Sequence, residues 1–488
     1  MTTIDRDLAA LQEARDLIRR ARFAAQAFAQ LSPQKARQIA EAVCAACVEQ
    51  AEHYARWAAE ETRIGNVKDK VFKNLLASRD FMAYHRDSVL GGIRQDREHH
   101  MLLVGEPAGV VLGLVPSTSP IATMYFKVLS CLLTRNAVIL SPHPLANACS
   151  KDAARYLAQA AQRAGAPADV IQIQELVTLE ATHALMRDEG VNVILATGGA
   201  PMVRAAYSSG NPALGVGPGN VPVYVDASAE LQLAAHETIA AKDFDHGSPC
   251  SSPSVMFVHR SVAAELRRVM QAAGAHFCSA DEQRKLEEKA FPHGHLNPLI
   301  VGRPASWIAA EAGLGSVRDA RILVGALEKI DASSPMAREK LSPILGFKVV
   351  DDVEHAIRDA RAMLAIAGAG HTSGVFASDA ETAALWGAAL NVNRTIVNRG
   401  TSMGVVGDGT FMPPTFTVGT GFAGRSSVGE NVGPEHLINW KRIAFPKQQQ
   451  RSPEGAGGSH GTRQSAKADA RIESVVRALV TAALADKV

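Results

Sequence analysis

The sequence predicts an α/β protein with two successive units, each a parallel sheet covered by helices on both faces, and a tethered C-terminal helix. Three observations carry this reading. Short apolar runs alternate with helix-like stretches through most of the chain. Hydrophobic residues make up 47% of the 488 positions and charged residues 20%, enough for a large core, so wholesale disorder is excluded. A Gly-, Ser- and Gln-rich stretch at 447–470 then separates this body from a last amphipathic segment.

The elements follow in order. Residues 5–62 are rich in Ala, Glu, Gln, Arg and Leu and read as helical, with a break at Pro33. Residues 100–116 read as two strands separated by Gly105-Glu106-Pro107-Ala108-Gly109. Apolar runs at 137–140, 170–176 and 191–197 each precede a helix-like stretch, the pattern of βαβ units. A second segment opens at 221–226 and carries further runs at 253–259, 298–302, 321–327, 344–351, 373–379 and 395–400. The boundary between the two falls near residue 225. Beyond the linker, Ile472, Val475, Val476, Leu479 and Ala483 form one stripe of a helix.

Composition removes several function classes. Lys and Arg number 51 against 49 Asp and Glu, so no strong field points to nucleic acid or an anionic membrane as partner. No apolar run approaches the roughly 18 residues of a spanning helix. The N-terminus is charged and amphipathic, without a signal-peptide core, so export is not expected. The six cysteines are too sparse for a disulfide framework. Cys44 and Cys47 form a CxxC inside an Ala-rich helical pattern and read as two small apolar residues on a helix face. No His, Cys, Asp or Glu cluster has metal-ligand spacing and no P-loop is present, so no metal site is expected.

The stretch richest in chemistry is KDFDHGSPCSSPSVMFV (242–258). Cys250 sits there in a Gly/Ser/Pro loop just before a strand-like run. A loop cysteine faced by backbone N–H groups favours its thiolate. Taken alone this is a weak signal, since a lone loop cysteine is usually inert.

Other stretches join it in a fixed order: EPAGVVLGLVPSTSP (106–120), NAVILSPHP (136–144), ILATGG (194–199), GVGPGNVPVYVD (215–226), EKLSPILGF (339–347), GAGHTSGVF (368–376) and GENVGPEHLIN (429–439). Together they resemble the aldehyde dehydrogenase superfamily over roughly residues 10–445. They resemble in particular its CoA-acylating branch, which includes the aldehyde dehydrogenase half of bifunctional aldehyde/alcohol dehydrogenases. The resemblance implies an aldehyde dehydrogenase-like α/β fold of two doubly wound domains with parallel sheets. Residues 1–225 would bind cofactor, 226–415 would form the catalytic domain, and 416–446 would return as an oligomerisation segment. Residues 447–470 would be a linker, and 471–488 an encapsulation peptide of the kind that targets acylating members to bacterial microcompartments.

The same resemblance assigns roles. Cys250 matches the nucleophile that attacks the aldehyde and carries the acyl group as a thioester. Its backbone N–H is one candidate oxyanion donor. Thr118, in Pro116-Ser117-Thr118-Ser119-Pro120, stands where many relatives hold an Asn as second donor; a plain turn residue is the competing reading. Ser141 and His143 fall where relatives hold the adenosine ribose. Thr197, Gly198 and Gly199 open a helix whose N–H groups could face a pyrophosphate. Gly217, in the glycine-rich run 215–220, could let an extended ligand approach the backbone, or the run could be a tight turn. Glu339 matches a glutamate that bonds the nicotinamide ribose. His246 could tune the thiol or touch substrate. His371 matches the family without an assigned role.

In hydrolytic members a Glu-Leu-Gly-Gly glutamate activates the water that cleaves the thioester; the corresponding residue here is Val216, which cannot act as a base. Release to a thiol such as CoA is therefore expected. The implied reaction is aldehyde + CoA + NAD(P)+ to acyl-CoA + NAD(P)H, with propionaldehyde or acetaldehyde favoured. The sequence does not distinguish NAD from NADP. A charged aldehyde, sulfoacetaldehyde or succinate semialdehyde, is the alternative, with Arg425 as a candidate cation. Hydrolytic and non-catalytic cargo readings rank below both. A homodimer or dimer of dimers, shell or core proteins met through 471–488, and a cytoplasmic location inside a microcompartment complete the expectation.

Overall fold

The computed structural model describes residues 5–315 and 317–446. The expected linker and C-terminal helix therefore lie outside the described residues.

The N-terminal part is helical because its small and aliphatic residues recur on one face. Helix α1 (Arg6–Ala29) starts at Asp5, whose carboxylate accepts from the Asp7 N–H, and buries Ala10, Ala14, Leu17, Ile18, Ala21 and Phe28. Helix α2 (Pro33–Glu49) follows the break at Pro33, with Ser32 as its cap and the proline at its first position, where the missing N–H costs nothing. Cys47 is buried on α2 and Cys44 half-buried, as small core residues. Helices α3 (Ala51–Thr62) and α4 (Val67–Leu75) complete this part.

Two strands, β1 (Gly92–Asp96) and β2 (Met101–Pro107), form an antiparallel hairpin. Five parallel strands follow: β3 (Val110–Val115), β4 (Ala137–Pro142), β5 (Ile171–Ile173), β6 (Val193–Ala196) and β7 (Ala213–Gly215). They lie in the order β5-β4-β3-β6-β7. Chain order reverses direction at β3 and β6, the switch point where α/β sheets open a crevice at their carboxyl ends. The helix Pro120–Leu133 is buried along its whole length within this core.

The second sheet has seven parallel strands: β8 (Val221–Val225), β9 (Pro253–His259), β10 (Ala275–Phe277), β11 (Ile322–Ala326), β12 (Ile344–Val350), β13 (Ser373–Phe376) and β14 (Thr395–Val397). Their order is β10-β11-β12-β9-β8-β13-β14. Alternate residues face two cores: Tyr224, Val255 and Phe257 on one side, Val223, Met256 and Val258 on the other. Burial on both faces explains why these strands read as continuous apolar runs. The change of sheet falls between Gly215 and Val221, so the strand 221–225 belongs wholly to the second sheet. One expected strand is corrected. Residues 298–302 contain a 3-10 turn, Pro298–Ile300, because Pro298 fixes φ and the Asn297 side chain takes the Leu299 N–H at 3.0 Å.

The last strand, β15 (Ile438–Ala444), returns to pair antiparallel with β2, so that β1 and β15 are the two edge strands of the three-stranded sheet. Trp440 lies over Gly105, where a Cβ would sit 2.9 Å from its ring. Among the described residues no helix is long and apolar enough to cross a membrane.

Candidate active site

The two parallel sheets offer opposite ends to one region. The five-stranded sheet contributes loops at its carboxyl ends: 116–120 after β3, 141–144 after β4, and 197–199 after β6. The seven-stranded sheet contributes loops before its strands: 215–220 before β8, 244–252 before β9, 339–343 before β12, and 368–372 before β13.

Cys250 is half-buried at the turn into β9, a central strand. Burial pushes its thiol up to about 12, helped by the Glu339 charge; the Cys250 and Ser251 amides and the Arg394 guanidinium pull the other way. The resting residue is thus a neutral thiol. His371 meets it: Nε2 lies 3.1 Å from Sγ. His371 is fully buried, and burial together with Arg394 drives its imidazole down to about 3. Its Nδ1 lies 3.0 Å from the Thr372 hydroxyl. With Nδ1 protonated and donating to Thr372, Nε2 presents a lone pair to the Cys250 S–H. Arg394, also buried, donates to the His371 carbonyl at 2.9 Å and to the carbonyls of Gly419 and Gly429, which fixes the loop carrying the imidazole.

The other flank of Cys250 is apolar. Val216, Val405 and Val418 form a small buried cluster against which Cys250 and Val406 pack. Gly219 explains the glycine-rich run: a Cβ there would fall 1.8 Å from the Cys250 carbonyl oxygen. The Gly219 N–H donates to Glu339 Oε1 at 2.9 Å. Burial raises the Glu339 carboxyl to about 8, against the opposing pull of that N–H, Lys242 and Lys340.

Thr118 is half-buried in its loop, with its carbonyl held by Lys70 at 3.1 Å and Lys73 at 3.3 Å. Thr197 bonds across to the return segment, its hydroxyl 3.2 Å from that of Thr417. Gly198 and Gly199 have no close contact where a Cβ would be, and the helix Ala200–Tyr207 begins beside them. Gly217 faces Thr420, whose hydroxyl oxygen is buried without a partner. Ser141 is turned inward, donating to Gln174 at 2.9 Å, and His143 is exposed, with Nδ1 accepting from the Leu145 N–H. His246 takes a left-handed conformation, φ 53°, and its Nδ1 is buried without a partner. Arg425 is exposed, with φ 56°. The structure thus joins Cys250 to Glu339 through Gly219, and ties the Thr118 loop through Lys70 and Lys73 to Asp245, five residues before Cys250. Ser141 and Arg425 share no hydrogen bond or ion pair with them among the described residues.

Sequence reasoning left His371 without a role and did not notice Arg394. The histidine is 121 positions from Cys250, and only the fold joins them. The available signal was a histidine in a short Gly-rich turn just before a strand.

Residues 3–412 match the aldehyde dehydrogenase family. The chain is 37% identical over 434 residues to the bifunctional aldehyde-alcohol dehydrogenase AdhE of Escherichia coli (strain K12), covering 88% of this chain and 49% of that protein. It therefore spans about half the length of that relative. An acetylating aldehyde dehydrogenase from Geobacillus thermoglucosidasius superposes with a TM-score of 0.89 at 38% identity, covering 92% of this chain and 99% of that one. A propionaldehyde dehydrogenase from the fucose utilisation bacterial microcompartment of Clostridium phytofermentans gives 0.79 at 25% identity, with 88% and 97% covered. With its two parallel sheets meeting at the Cys250 loop, the chain belongs to the aldehyde dehydrogenase family.

Proposed function

We propose that this chain is a CoA-acylating aldehyde dehydrogenase that converts a short-chain aldehyde, CoA and NAD(P)+ to acyl-CoA and NAD(P)H. The observation that carries the reading is the two-sided setting of Cys250: an imidazole 3.1 Å from its sulfur on one flank, and valines where a water-activating carboxylate would be needed on the other. The similarity to an acetylating dehydrogenase over nearly the whole of that chain supports it.

Cys250 Sγ attacks the aldehyde carbon, and its proton passes to His371 Nε2 as the C–S bond forms. The order matters. A thiol pushed up to about 12 does not hand its proton to an imidazole held near 3 until attack has made the sulfur acidic. The oxyanion is met by the Cys250 N–H and the Thr118 hydroxyl. A bound nicotinamide dinucleotide supplies the hydride acceptor. Cys250 is then a thioester. His371 gives its first proton up to solvent; the CoA thiol then attacks the thioester and passes its proton to the freed Nε2, and that proton goes to Cys250 as it leaves, restoring the thiol. Val216 offers no base to water, so the thiol outcompetes it.

The residues fit a dinucleotide. The Thr197-Gly198-Gly199 turn is open, lies at the switch point of the first sheet and begins a helix. Glu339 has one carboxylate oxygen on Gly219 and a second for a ribose hydroxyl, and the orphaned Thr420 hydroxyl lies beside Gly217. We assign His143 to the dinucleotide and His246 to the aldehyde, as the family resemblance implies; the unpartnered, buried Nδ1 of His246 supports a polar partner there.

Propionaldehyde or acetaldehyde is the substrate we favour. The assembly is a homodimer or dimer of dimers formed through 416–446, and the location is a microcompartment reached through 471–488. The microcompartment relative supports that location. Deleting 447–488 should leave soluble activity intact and abolish co-purification with shell protein; unchanged co-purification would refute the targeting role. The main test is an aldehyde panel with NAD+ or NADP+, with and without CoA. Acyl-CoA formed in step with NAD(P)H supports the reading, and equal turnover to free acid without CoA defeats it.

A further inference from the structure

Behind the Thr118 and Cys250 loops lies a buried charged cluster that the steps above do not use. On α4, Lys70, Lys73 and Asn74 occupy one face at i, i+3 and i+4 and are nearly inaccessible. Asp245, five residues before Cys250, is completely buried. Its Oδ2 accepts from Lys73 Nζ, from Lys70 Nζ at 3.2 Å and from the Ser248 hydroxyl at 2.9 Å; its Oδ1 accepts from the Asn66 N–H at 3.0 Å. The backbone is bent to deliver this carboxylate. Asp245 has φ 47°, and Gly65 leaves room for it, since a Cβ at 65 would sit 1.8 Å from Oδ1.

Two ammonium groups share one carboxylate, so a single buried acid does not satisfy both. Their remaining protons go to the loop after β3: Lys70 and Lys73 both donate to the Thr118 carbonyl, and Lys73 to the Ser119 hydroxyl at 2.7 Å. Burying two lysines is a poor way to gain stability, because apolar residues of similar volume do as well or better. What ions provide is a fixed geometry with defined partners. Here the partners are one loop from each sheet. The Asp245 carboxyl, which burial would raise, is brought down to about 2 by the two lysines, so it stays charged at working pH.

We propose that Lys70, Lys73 and Asp245 are positioning residues: they clamp the Thr118 loop against the Cys250 loop, so that oxyanion donors and thiol stand in register for hydride transfer. The inference rests on the dehydrogenase reading, but not on the fate of the thioester. A displacement of about 1 Å at such a joint costs roughly a hundredfold in rate.

The test uses full-length Lys73→Met and Asp245→Asn. Measured are kcat and KM for NAD+, the isotope effect with 1-deuterated aldehyde, thermal melting, and alkylation of Cys250 by iodoacetamide. The clamp predicts a kcat loss of about thirty- to a hundredfold. It also predicts a larger isotope effect, with KM for NAD+ and the alkylation rate within about twofold of wild type, because thiol and cofactor site are intact. A folded variant with kcat within about threefold of wild type overturns the clamp, as does a loss of kcat matched by equal losses of alkylation and melting temperature. If Lys73→Met does not fold, the isosteric Asp245→Asn decides on the same criteria; failure of both to fold makes the cluster purely structural and overturns the proposal. A wild type that reduces NAD+ equally well without CoA would remove the acylating reading and leave the clamp standing.

Discussion

The two sheets meet the same reaction with different materials. The five-stranded sheet presents carboxyl ends whose loop after β6 is glycine and backbone, open where a Cβ would be. The seven-stranded sheet presents amino ends whose loops carry locked side chains, Cys250, His371 and Arg394 on one flank and Val216 on the other, where Val405 and Val418 from the chain after β14 pack. A ligand that exchanges every turnover is suited by backbone and space. Bond making and breaking need atoms held to a fraction of an ångström. Substitutions at Cys250, His371, Arg394 or the valines should therefore alter rate and product, and those in the loop after β6 should alter affinity. The largest contrast is Cys250→Ala, which should remove NAD(P)H formation by about 10⁴-fold or more while the protein still binds dinucleotide. Turnover within a hundredfold of wild type would mean that the packed set holds no nucleophile.

His371→Gln is next, with a kcat loss of about a hundredfold, the lower range for a general base. The pH profile sharpens it. Without the imidazole, attack relies on the thiolate of a group that titrates near 12, so the variant's rate should climb about tenfold per pH unit where wild type is flatter. Stability gives a second reading. The folded imidazole is held near 3 and the unfolded one titrates near 6.5, so the stability it confers is complete above about 6.5 and is lost as pH falls toward 3. Wild type should lose about 2 kcal/mol between pH 6.5 and 5 from this group, and His371→Gln should not. Superimposable melting-versus-pH curves would contradict the buried neutral histidine.

Most of the fold was legible because both sheets are buried on two faces and so leave continuous apolar runs. The loss of 298–302 as a strand is a proline and asparagine effect that an apolar run conceals. The strands β7 and β10 were not read; they are three residues each, and β5 and β14 are as short but were picked out as the runs 170–176 and 395–400. In the site, Cys250 and Val216 were singled out only through the ordered set of motifs that resembles the family, since a loop cysteine and a valine in a glycine-rich run say little alone. His371 was left without a role and Arg394 unnoticed, because their work is done across 121 and 144 positions of sequence. Lys70 and Lys73 look like any solvated helix face until Asp245 is folded against them.

Val216→Glu tests whether the apolar flank controls product. It places a carboxylate where a water could be activated, at some cost in stability from burying the charge beside Val405 and Val418. Free-acid formation without CoA should rise about tenfold, a modest fraction of what a properly supported base supplies. The ratio of acid to acyl-CoA, measured by chromatography of the quenched reaction, is the readout. An unchanged ratio in a folded variant would show that something other than Val216 excludes water.

The smallest effect should come from the open set, and it separates two glycines. Gly219 has no room for a methyl group, since its Cβ would collide with the Cys250 carbonyl. Gly199 is different: the nearest atom to a Cβ is Pro201 Cδ at 3.8 Å, and its φ of −64° suits any residue. The protein itself therefore gives no reason for glycine at 199. A ligand does, if its pyrophosphate approaches that backbone. Gly199→Ala should leave kcat unchanged and keep or slightly raise the melting temperature, since alanine lowers the entropy of the unfolded chain by about 0.4–1 kcal/mol. KM for NAD(P)+ should rise about fivefold, roughly 1 kcal/mol of binding. If KM does not move, the dinucleotide lies elsewhere along the carboxyl ends, and the division of labour between the two sheets loses its simplest support.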